Sequence, residues 1–194
     1  METATPRGVT LALDLINTVQ LGESGGRDAL ATPADLRAWL AERQLGDWAH
    51  ESLRTSPADA AMLLGEARRL RDAVTHATQA LHDGAPIPEE ALFGIDRVAA
   101  TSRVVRRVEA GAHGPRLREE ESARAFLAVL APVAIGAVEL LTKTDEARLR
   151  RCASEECAVW FVDTSKGGRR RWCSMERCGN RAKAARHRRR RKAG

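Results

Sequence analysis

The chain has 194 residues with a formal net charge of +6, and its hydrophobic content of 43% is enough for a buried core. Seven aromatic residues and no tyrosine make that core aliphatic. The longest uncharged run, Ala125–Val138, is too short for a membrane span. The early apolar run lacks the basic flank and cleavage site of a secretory signal, so we expect a cytoplasmic protein without a membrane segment.

Charge divides the chain into two parts of opposite sign. From Arg148 onward there are 16 Lys and Arg against 4 Asp and Glu, a net charge of +12, whereas the preceding residues carry 16 against 22, a net charge of −6. A change of sign this large favours a domain boundary. We therefore expect an amino-terminal domain over residues 1–146 and a basic module over residues 147–194.

Helical patterns dominate the amino-terminal part. The run Val9–Val19 predicts a short and largely buried helix. Thr32 and Ser56, each followed by proline, predict the starts of two further helices, because the hydroxyl can cap the first turn and proline lacks an N–H that this position leaves unpaired. The second of these helices carries an apolar stripe over residues 63–81, and the following Gly84 is expected to end it.

The middle of the chain changes pattern. A run rich in valine and arginine surrounds a Gly-Ala-His-Gly-Pro segment, which predicts a β-hairpin of Arg103–Glu109 with Arg116–Glu120. Helical spacing returns over Ser122–Leu141, with a kink expected at Pro132. The predicted fold is therefore α+β and mostly α: a helical amino-terminal domain with one small sheet, followed by a small metal-binding module.

Three polar residues interrupt the first apolar helix. Asp14, Asn17 and Thr18 need partners there, because an unpaired polar group in a core is costly. They either bind neighbouring backbone or line a ligand pocket. In the second case Arg68 and Arg71 of the long helix are the natural cationic companions, and a small anionic molecule is the expected ligand.

All four cysteines lie in the basic part of the chain. Their spacing is C-x4-C, fifteen residues, then C-x4-C, and two close pairs joined by a short span are what a tetrahedral Zn²⁺ site needs. Four thiolates leave no coordination position for water, so the metal would be structural. We expect zinc ligands rather than disulfides in a reducing cytoplasm. The predicted ligands of one zinc ion are Cys152, Cys157, Cys173 and Cys178.

The residues around the cysteines predict a treble-clef-like module. Each C-x4-C pair forms a tight turn, or knuckle: the first knuckle is Cys152–Cys157 and the second is Cys173–Cys178. A hairpin lies between the two knuckles, and a basic helix follows the second. Ala158–Val162 is predicted to be a strand that leaves the first knuckle. After a turn at Lys166–Arg169, the segment Arg170–Trp172 is predicted to return as its partner strand. So small a module depends on the metal for much of its folding free energy.

The cysteine stretch resembles the CGNR-type zinc finger in its two C-x4-C pairs, in Trp160-Phe161 and in the Gly179-Asn180-Arg181 that follows the last cysteine. Upstream, Leu11–Val19 resembles the opening motif of the ABATE domain, which usually precedes that finger. Together the resemblance covers essentially the whole chain. Proteins of this kind are regarded as bacterial stress-induced transcriptional regulators, so the resemblance implies a regulator, which the cysteine spacing alone does not show.

The basic residues after the last cysteine support nucleic-acid binding independently. Cationic side chains that contact phosphates release counterions, so affinity falls with salt. Ala182 and Ala185 are expected to pack on the zinc core, and the terminal arginines to act as a clamp, although the same run would also suit a merely solvated surface. The candidate contact residues are Arg181, Lys183, Arg186, Arg188, Arg189, Arg190, Arg191 and Lys192.

Catalysis has weak support. The five histidines form no metal pair at helical spacing, and neither a Gly-rich phosphate loop nor a nucleophile elbow is present. We therefore do not expect an enzyme, and we favour a DNA-binding regulator whose amino-terminal domain senses a small ligand or forms a homodimer. The alternatives are an RNA- or ribosome-associated zinc protein and a protein-interaction module that binds an acidic partner.

Overall fold

Helices make up most of the protein in the computed structural model, which describes residues 5–20, 26–45, 56–102, 104–111, 114–121 and 126–192. The helices are α1 (Arg7–Ile16), α2 (Pro33–Glu42), α3 (Pro57–His82), α4 (Glu89–Ala99), α5 (Ala131–Lys143) and α6 (Asn180–Lys192). Two-stranded antiparallel sheets pair β1 (Val19–Gln20) with β2 (Arg27–Asp28), β3 (Val104–Gly111) with β4 (Gly114–Glu121), and β5 (Leu149–Arg151) with β6 (Trp160–Val162). The prediction of a mostly helical α+β fold is confirmed.

The starts of α2 and α3 follow from their capping residues. The Thr32 hydroxyl accepts a hydrogen bond from the Asp35 amide at 3.2 Å, and the Asp35 carboxylate accepts one from the Thr32 amide at 2.8 Å, which forms a capping box. Ser56 caps α3 by accepting from the Asp59 amide at 3.2 Å. Gly84 follows the end of α3 with a φ of +64°, a conformation that glycine adopts without strain. These three predictions are confirmed.

One apolar cluster holds the helices together. The predicted stripe of α3 is buried in it through Leu63, Ala67, Leu70, Val74 and Ala77. Helices α1, α2, α4 and α5 contribute their own apolar faces to the same cluster. Two residues of the cysteine region also belong to it: Leu149 of β5, which is 0% exposed, and Trp160 of β6, which is 5% exposed. The helical part and the cysteine region therefore share a core.

Helices α1 and α5 approach each other closely at a pair of glycines. A Cβ atom placed on Gly136 would lie 1.9 Å from the carbonyl oxygen of Gly8, a backbone atom that cannot move away by changing a rotamer. The Cα of Gly136 is likewise only 3.1 Å from a Cβ placed on Gly8. The absence of side chains at both positions is what lets the two helices meet.

The structure corrects two details of the sequence interpretation. Pro132 does not kink a long helix; the segment Phe126–Leu130 is a 3₁₀ helix, and Pro132 lies in the first turn of α5, where its missing N–H has no partner to lose. The predicted hairpin partner of β6 is also wrong, because β6 pairs with β5 instead of Arg170–Trp172. The backbone of that segment is engaged elsewhere, with Arg170 N donating to Asp163 and Arg171 O accepting from Ala153 N.

The predicted hairpin in the middle of the chain is confirmed. Strands β3 and β4 pair antiparallel from Val104 opposite Glu121 to Gly111 opposite Gly114. Arg103, where the first strand was expected to begin, and Ser122, the expected start of the next helix, lie outside the described residues. In the part of the chain that the structure describes, no helix combines the length and the apolarity that a membrane span requires.

We predict that Gly136→Ala destabilises the protein by about 3 kcal/mol or more, because the new methyl group would collide with backbone and separate α1 from α5. Gly65→Ala on α3 is the matched control. Its Cβ would meet only the Arg69 guanidinium, at 3.6 Å or more, so the higher helix propensity of alanine should stabilise the protein by about 0.5–1 kcal/mol. Urea unfolding measures both changes, and equal effects of the two substitutions would contradict the close approach.

Candidate metal centre and nucleic-acid interface

The four cysteine sulfurs form a compact cluster. All four Sγ atoms lie within 4.8 Å of one another, and Cys173 Sγ is 3.7 Å from the Sγ atoms of both Cys157 and Cys178. A tetrahedral site with Zn–S bonds of about 2.3 Å places its sulfurs about 3.8 Å apart. The cysteines form no disulfide. The donor set and its spacing therefore fit one structural zinc ion held by Cys152, Cys157, Cys173 and Cys178.

Short backbone turns position the two cysteine pairs. Cys152 directly follows β5, and its amide donates to the carbonyl oxygen of Val159 at 2.9 Å, while the Cys157 amide donates to Ser154 at 3.0 Å. Cys178 lies in a π-helical turn, Met175–Gly179, whose end leads directly into α6. The second cysteine pair thus stands at the start of the basic helix, as the sequence predicts.

Burial and crowding alter the acidity of the thiols. Burial raises the pKa of Cys173, and the neighbouring thiols of Cys157 and Cys178 raise it further. Burial also raises the pKa of Cys178. Burial opposes ionisation of Cys152 as well, but hydrogen bonds with the backbone of Cys173 and Ser154 outweigh it, so the pKa of Cys152 is lowered. Because zinc binds thiolates, the metal must displace protons from this cluster, and its affinity decreases as the pH falls.

A buried aspartate organises the loop after β6. Asp163 is 0% exposed, and its carboxylate accepts hydrogen bonds from the amides of Ser165 at 2.9 Å and Arg170 at 2.7 Å. Burial tends to raise the pKa of Asp163, but these hydrogen bonds and the nearby Arg148 lower it overall. The Arg148 guanidinium in turn donates to the carbonyl oxygens of Asp163 and Ser165. This aspartate is not among the predicted site residues, although an Asp that directly follows a strand and precedes Thr-Ser-Lys-Gly-Gly is typical of a side-chain-stabilised turn.

Asn17 of the predicted polar cluster binds the cysteine region. Its amide nitrogen donates to the carbonyl oxygen of Trp160 at 2.9 Å, and its amide oxygen accepts from the Trp160 N–H at 2.8 Å. The side chain thus pairs with both backbone groups of Trp160, as a neighbouring strand would. His82, at the end of α3, meets the indole of Trp160 edge to face, with ring centroids 5.2 Å apart. Trp160 is therefore held from two helices.

Asp14 and Thr18 have different partners. The Asp14 carboxylate accepts from the Arg43 guanidinium at 3.0 Å. The Thr18 hydroxyl donates to the Leu15 carbonyl at 2.7 Å and accepts from Arg71 at 3.0 Å. The three polar residues of the first helix and its C-terminal turn therefore contact three separate parts of the protein.

The two arginines of the candidate pocket are also engaged. Arg71 is buried and forms a two-pronged ion pair with Asp28, at 2.6 and 2.9 Å, which lowers the pKa of that carboxyl. Arg68 donates to the carbonyl oxygens of Leu30 and Ala31 and lies 3.8 Å from the same carboxylate. The structure thus brings Thr18, Arg68 and Arg71 near Asp28, which the sequence analysis did not single out, and directs Asp14 and Asn17 elsewhere.

Helix α6 presents to solvent those of its basic side chains that the structure describes. Ala182 and Ala185 are partly buried and line a groove of about 340 Å³ against the first cysteine knuckle. Arg181 forms an ion pair with Glu156 of that knuckle at 2.5 Å. The side chains of residues 189, 190 and 192 lie outside the described part. The exposed basic residues of the helix are Arg181, Lys183, Arg186, Arg188 and Arg191.

Comparison with known families agrees with both halves of this structure. Residues 10–144 match the ABATE family, described as "putative stress-induced transcription regulator", and residues 148–191 match the CGNR zinc finger. No curated protein is significantly similar in sequence to this chain. The helical part and the four-cysteine cluster thus match one family of regulator type and one of zinc-finger type, and neither family is of enzyme type. The chain belongs to the ABATE family and ends in a CGNR zinc finger.

We predict that Cys173→Ala lowers the zinc content from one per chain to almost none, because the remaining thiolates cannot complete the tetrahedron. Amides of residues 149–178 should then exchange hydrogen faster, as the metal supplies much of the local folding free energy. Ala153→Ser, an exposed change beside Cys152 that keeps all four ligands, is the control. Metal analysis and hydrogen exchange test this, and full zinc content in Cys173→Ala would contradict the four-ligand site.

We predict that Asn17→Ala destabilises the protein by roughly 2–3 kcal/mol, because two hydrogen bonds are removed and both backbone groups of Trp160 are left without a partner. Asn17→Asp should not rescue stability, since its carboxylate would face the Trp160 carbonyl oxygen. Thr10→Ala, on the exposed side of α1, removes only a local hydrogen bond to Pro6 and should cost less than about 1 kcal/mol. Urea unfolding monitored by tryptophan fluorescence gives the three values.

Proposed function

We propose that this protein is a transcription regulator that binds DNA through its zinc-stabilised carboxy-terminal module. The observation that carries the proposal is the construction of α6. The helix begins two residues after the metal ligand Cys178, Arg181 in its first turn pairs with Glu156 of the first knuckle, and its described cationic side chains are exposed. A metal site that fixes the start of a basic helix gives that helix a defined orientation.

The dimensions and charges of α6 suit duplex DNA. An α-helix with side chains is about 10–12 Å wide, and the major groove is about 12 Å wide. In this arrangement the residues at the start of the helix would lie closest to the zinc site and face the base edges. The amide of Asn180 could pair with adenine and the guanidinium of Arg181 with guanine. Residues 188–192 would contact phosphates and contribute affinity without sequence preference.

Other charges of the finger are compatible with this orientation. Glu156 is paired with Arg181, and the Asp163 carboxylate is buried and bound to backbone amides. The finger keeps a large positive net charge, which attracts phosphates at long range. These two acidic groups are thus held in an ion pair and in hydrogen bonds that limit their repulsion of DNA.

We favour DNA over RNA because the aromatic rings of the finger are not exposed for base stacking. Recognition of single-stranded RNA commonly uses exposed aromatic rings on which bases stack. Trp160 and Phe161 are instead buried, at 5% and 8% exposure, and the Arg170 guanidinium lies over the Phe161 ring at 4.7 Å. Trp172 is half-buried, and the Arg171 guanidinium lies over its ring at 5.1 Å. The regulator description of the matched family also favours DNA. Binding to structured RNA or to an acidic protein partner is the second candidate, carried by the positive charge alone.

The helical part would supply the regulatory input. We assign it to residues 1–146 and the DNA-binding module to residues 147–194, limits that the two family matches support. It would sense a small ligand or form a homodimer, and its contacts with Trp160 offer a route by which either event could act on the finger. Such a regulator would work in the bacterial cytoplasm, in association with the nucleoid.

We predict that replacing residues 188–192 by glutamine weakens binding to all duplexes alike, because these side chains contact phosphates rather than bases. The slope of log affinity against log salt should become shallower by about 0.9 for each phosphate that the variant no longer neutralises. Asn180→Ala is the contrasting variant. It keeps all positive charges, so the salt slope should stay the same while discrimination between sequences declines.

The measurement is fluorescence anisotropy over a salt series, with a duplex library and a structured RNA of equal length. Preferential binding of the RNA at every salt concentration would favour the second candidate. Failure of the zinc-loaded protein to bind either nucleic acid at low salt would reject nucleic-acid binding altogether. If the glutamine variant lost its sequence preference while the slope of log affinity against log salt stayed the same, residues 188–192 rather than the start of α6 would contact the bases.

A further inference from the structure

A cavity of about 530 Å³ lies where the helical part meets the zinc finger. It is bounded by the start of α1, by the end of α5 with the turn that follows it, and by the loop after β6. Sites for small molecules are typically about 300–1,000 Å³ in volume and occur preferentially at domain interfaces. Its size and its position therefore suit a ligand that contacts both family regions at once.

Two charged residues of the cavity lining are already bonded within the protein. Arg148 and Asp163 both line it, but the guanidinium donates to the carbonyl oxygens of Asp163 and Ser165, and the Asp163 carboxylate accepts from two backbone amides. The Arg148 and Asp163 side chains are therefore already hydrogen-bonded within the protein, and their opposite charges lie close together. The loop after β6 is consequently held in place before any ligand arrives, which reduces the ordering cost of binding.

Another pair of charges in the lining is also compensated. Lys143 of α5 contacts Glu139 one turn earlier at 3.1 Å. Two single charges of opposite sign then remain. Lys166 and Asp145 line the cavity and have no ion-pair partner among the residues that the structure describes; one Asp145 oxygen accepts from the Ala147 amide.

The rest of the lining combines hydroxyl groups with an apolar surface. The hydroxyls of Thr144 and Thr164 have no hydrogen-bond partner within the described ranges. Pro6, Val9 and Val162 provide the apolar surface. Both residues are exposed at the rim of the cavity, so a ligand with one charge can pair with only one of them, whereas a zwitterion can pair with both.

We propose that this cavity binds a small zwitterion with an aliphatic body, the chemistry of an apolar α-amino acid. Its carboxylate pairs with Lys166, its ammonium group pairs with Asp145, and its side chain packs on Val9 and Val162. This site differs from the pocket that the sequence suggested around Asp14, Asn17 and Thr18, whose polar atoms are bonded within the protein.

Ligand binding at this place would also affect the finger. The cavity walls come from α1 and α5 on one side and from the loop after β6 on the other, and Asn17 joins the same two regions through Trp160. A zwitterion that contacts both sides favours the arrangement in which they meet. This regulatory consequence rests on the proposed function; the binding itself does not.

The test titrates the zinc-loaded full-length protein with L-alanine, L-valine, L-leucine and L-isoleucine by calorimetry, and records thermal unfolding in parallel. At least one amino acid should bind and raise Tm. Two analogues of leucine serve as probes: 4-methylpentanoate lacks the ammonium group and 3-methylbutylamine lacks the carboxylate. Each should bind about two- to fivefold more weakly than leucine, since it can form only one of the two solvent-exposed ion pairs.

Charge-removing variants complete the experiment. Lys166→Gln should weaken leucine and 4-methylpentanoate but not the amine, and Asp145→Asn should weaken leucine and the amine but not the carboxylate. Asp96→Asn, an exposed change on α4 outside the cavity lining, should change none of them. The proposal is overturned if none of the four amino acids binds, if the single-charge analogues bind equally well, or if both cavity variants behave like Asp96→Asn.

DNA affinity measured with and without the bound amino acid separates the two proposals. A change in affinity of several-fold supports regulation through the cavity. Binding without any change in DNA affinity overturns the regulatory role and leaves the site in place. Failure to bind DNA in the absence of amino acid concerns the proposed function alone, because the calorimetry contains no DNA.

Discussion

The fixation of Trp160 is the contact on which the arrangement of this protein depends. Its indole lies in the helical core, edge-on to His82, and its N–H and carbonyl groups both bind the Asn17 amide. The residue belongs to β6, which lies between the two cysteine pairs. The zinc-binding segment therefore does not pack independently of the helices. The metal organises a segment whose strands are also buried against α1 and α3, so the stability of the finger and that of the helices are linked.

The arginines of the chain have two separate uses. Arg43, Arg71 and Arg148 bind carboxylates or carbonyl groups, where a planar guanidinium satisfies several acceptors at once. The described basic residues of α6 face water instead, apart from the ion pair of Arg181. This division explains how a chain with so many cations can fold around an aliphatic core and still present a concentrated positive surface. It also locates that surface next to the metal site.

Sequence patterns succeeded where the determining interactions are local. The caps of Thr32 and Ser56, the turn at Gly84 and the central hairpin each depend on residues within a few positions of one another. Sequence patterns failed where one segment is locally compatible with two different conformations. Pro132 can kink a helix or begin one, and only the packing of the preceding 3₁₀ segment decides. Likewise Arg170–Trp172 is a plausible strand, but the Asp163 carboxylate binds its first amide and diverts it, leaving β5 to pair with β6.

The sequence by itself determined the zinc ligands, the helical character and the position of the basic helix, because cysteine spacing, hydrophobic periodicity and capping act over short distances. The tertiary structure alone decided which partner each isolated polar residue would take. Asn17 and Trp160 are 143 positions apart, and Arg71 and Asp28 are 43 apart, so no periodicity connects them. The cavity between α1, α5 and the loop after β6 has the same origin, since its opposing charges, Asp145 and Lys166, share one space only after the chain has folded.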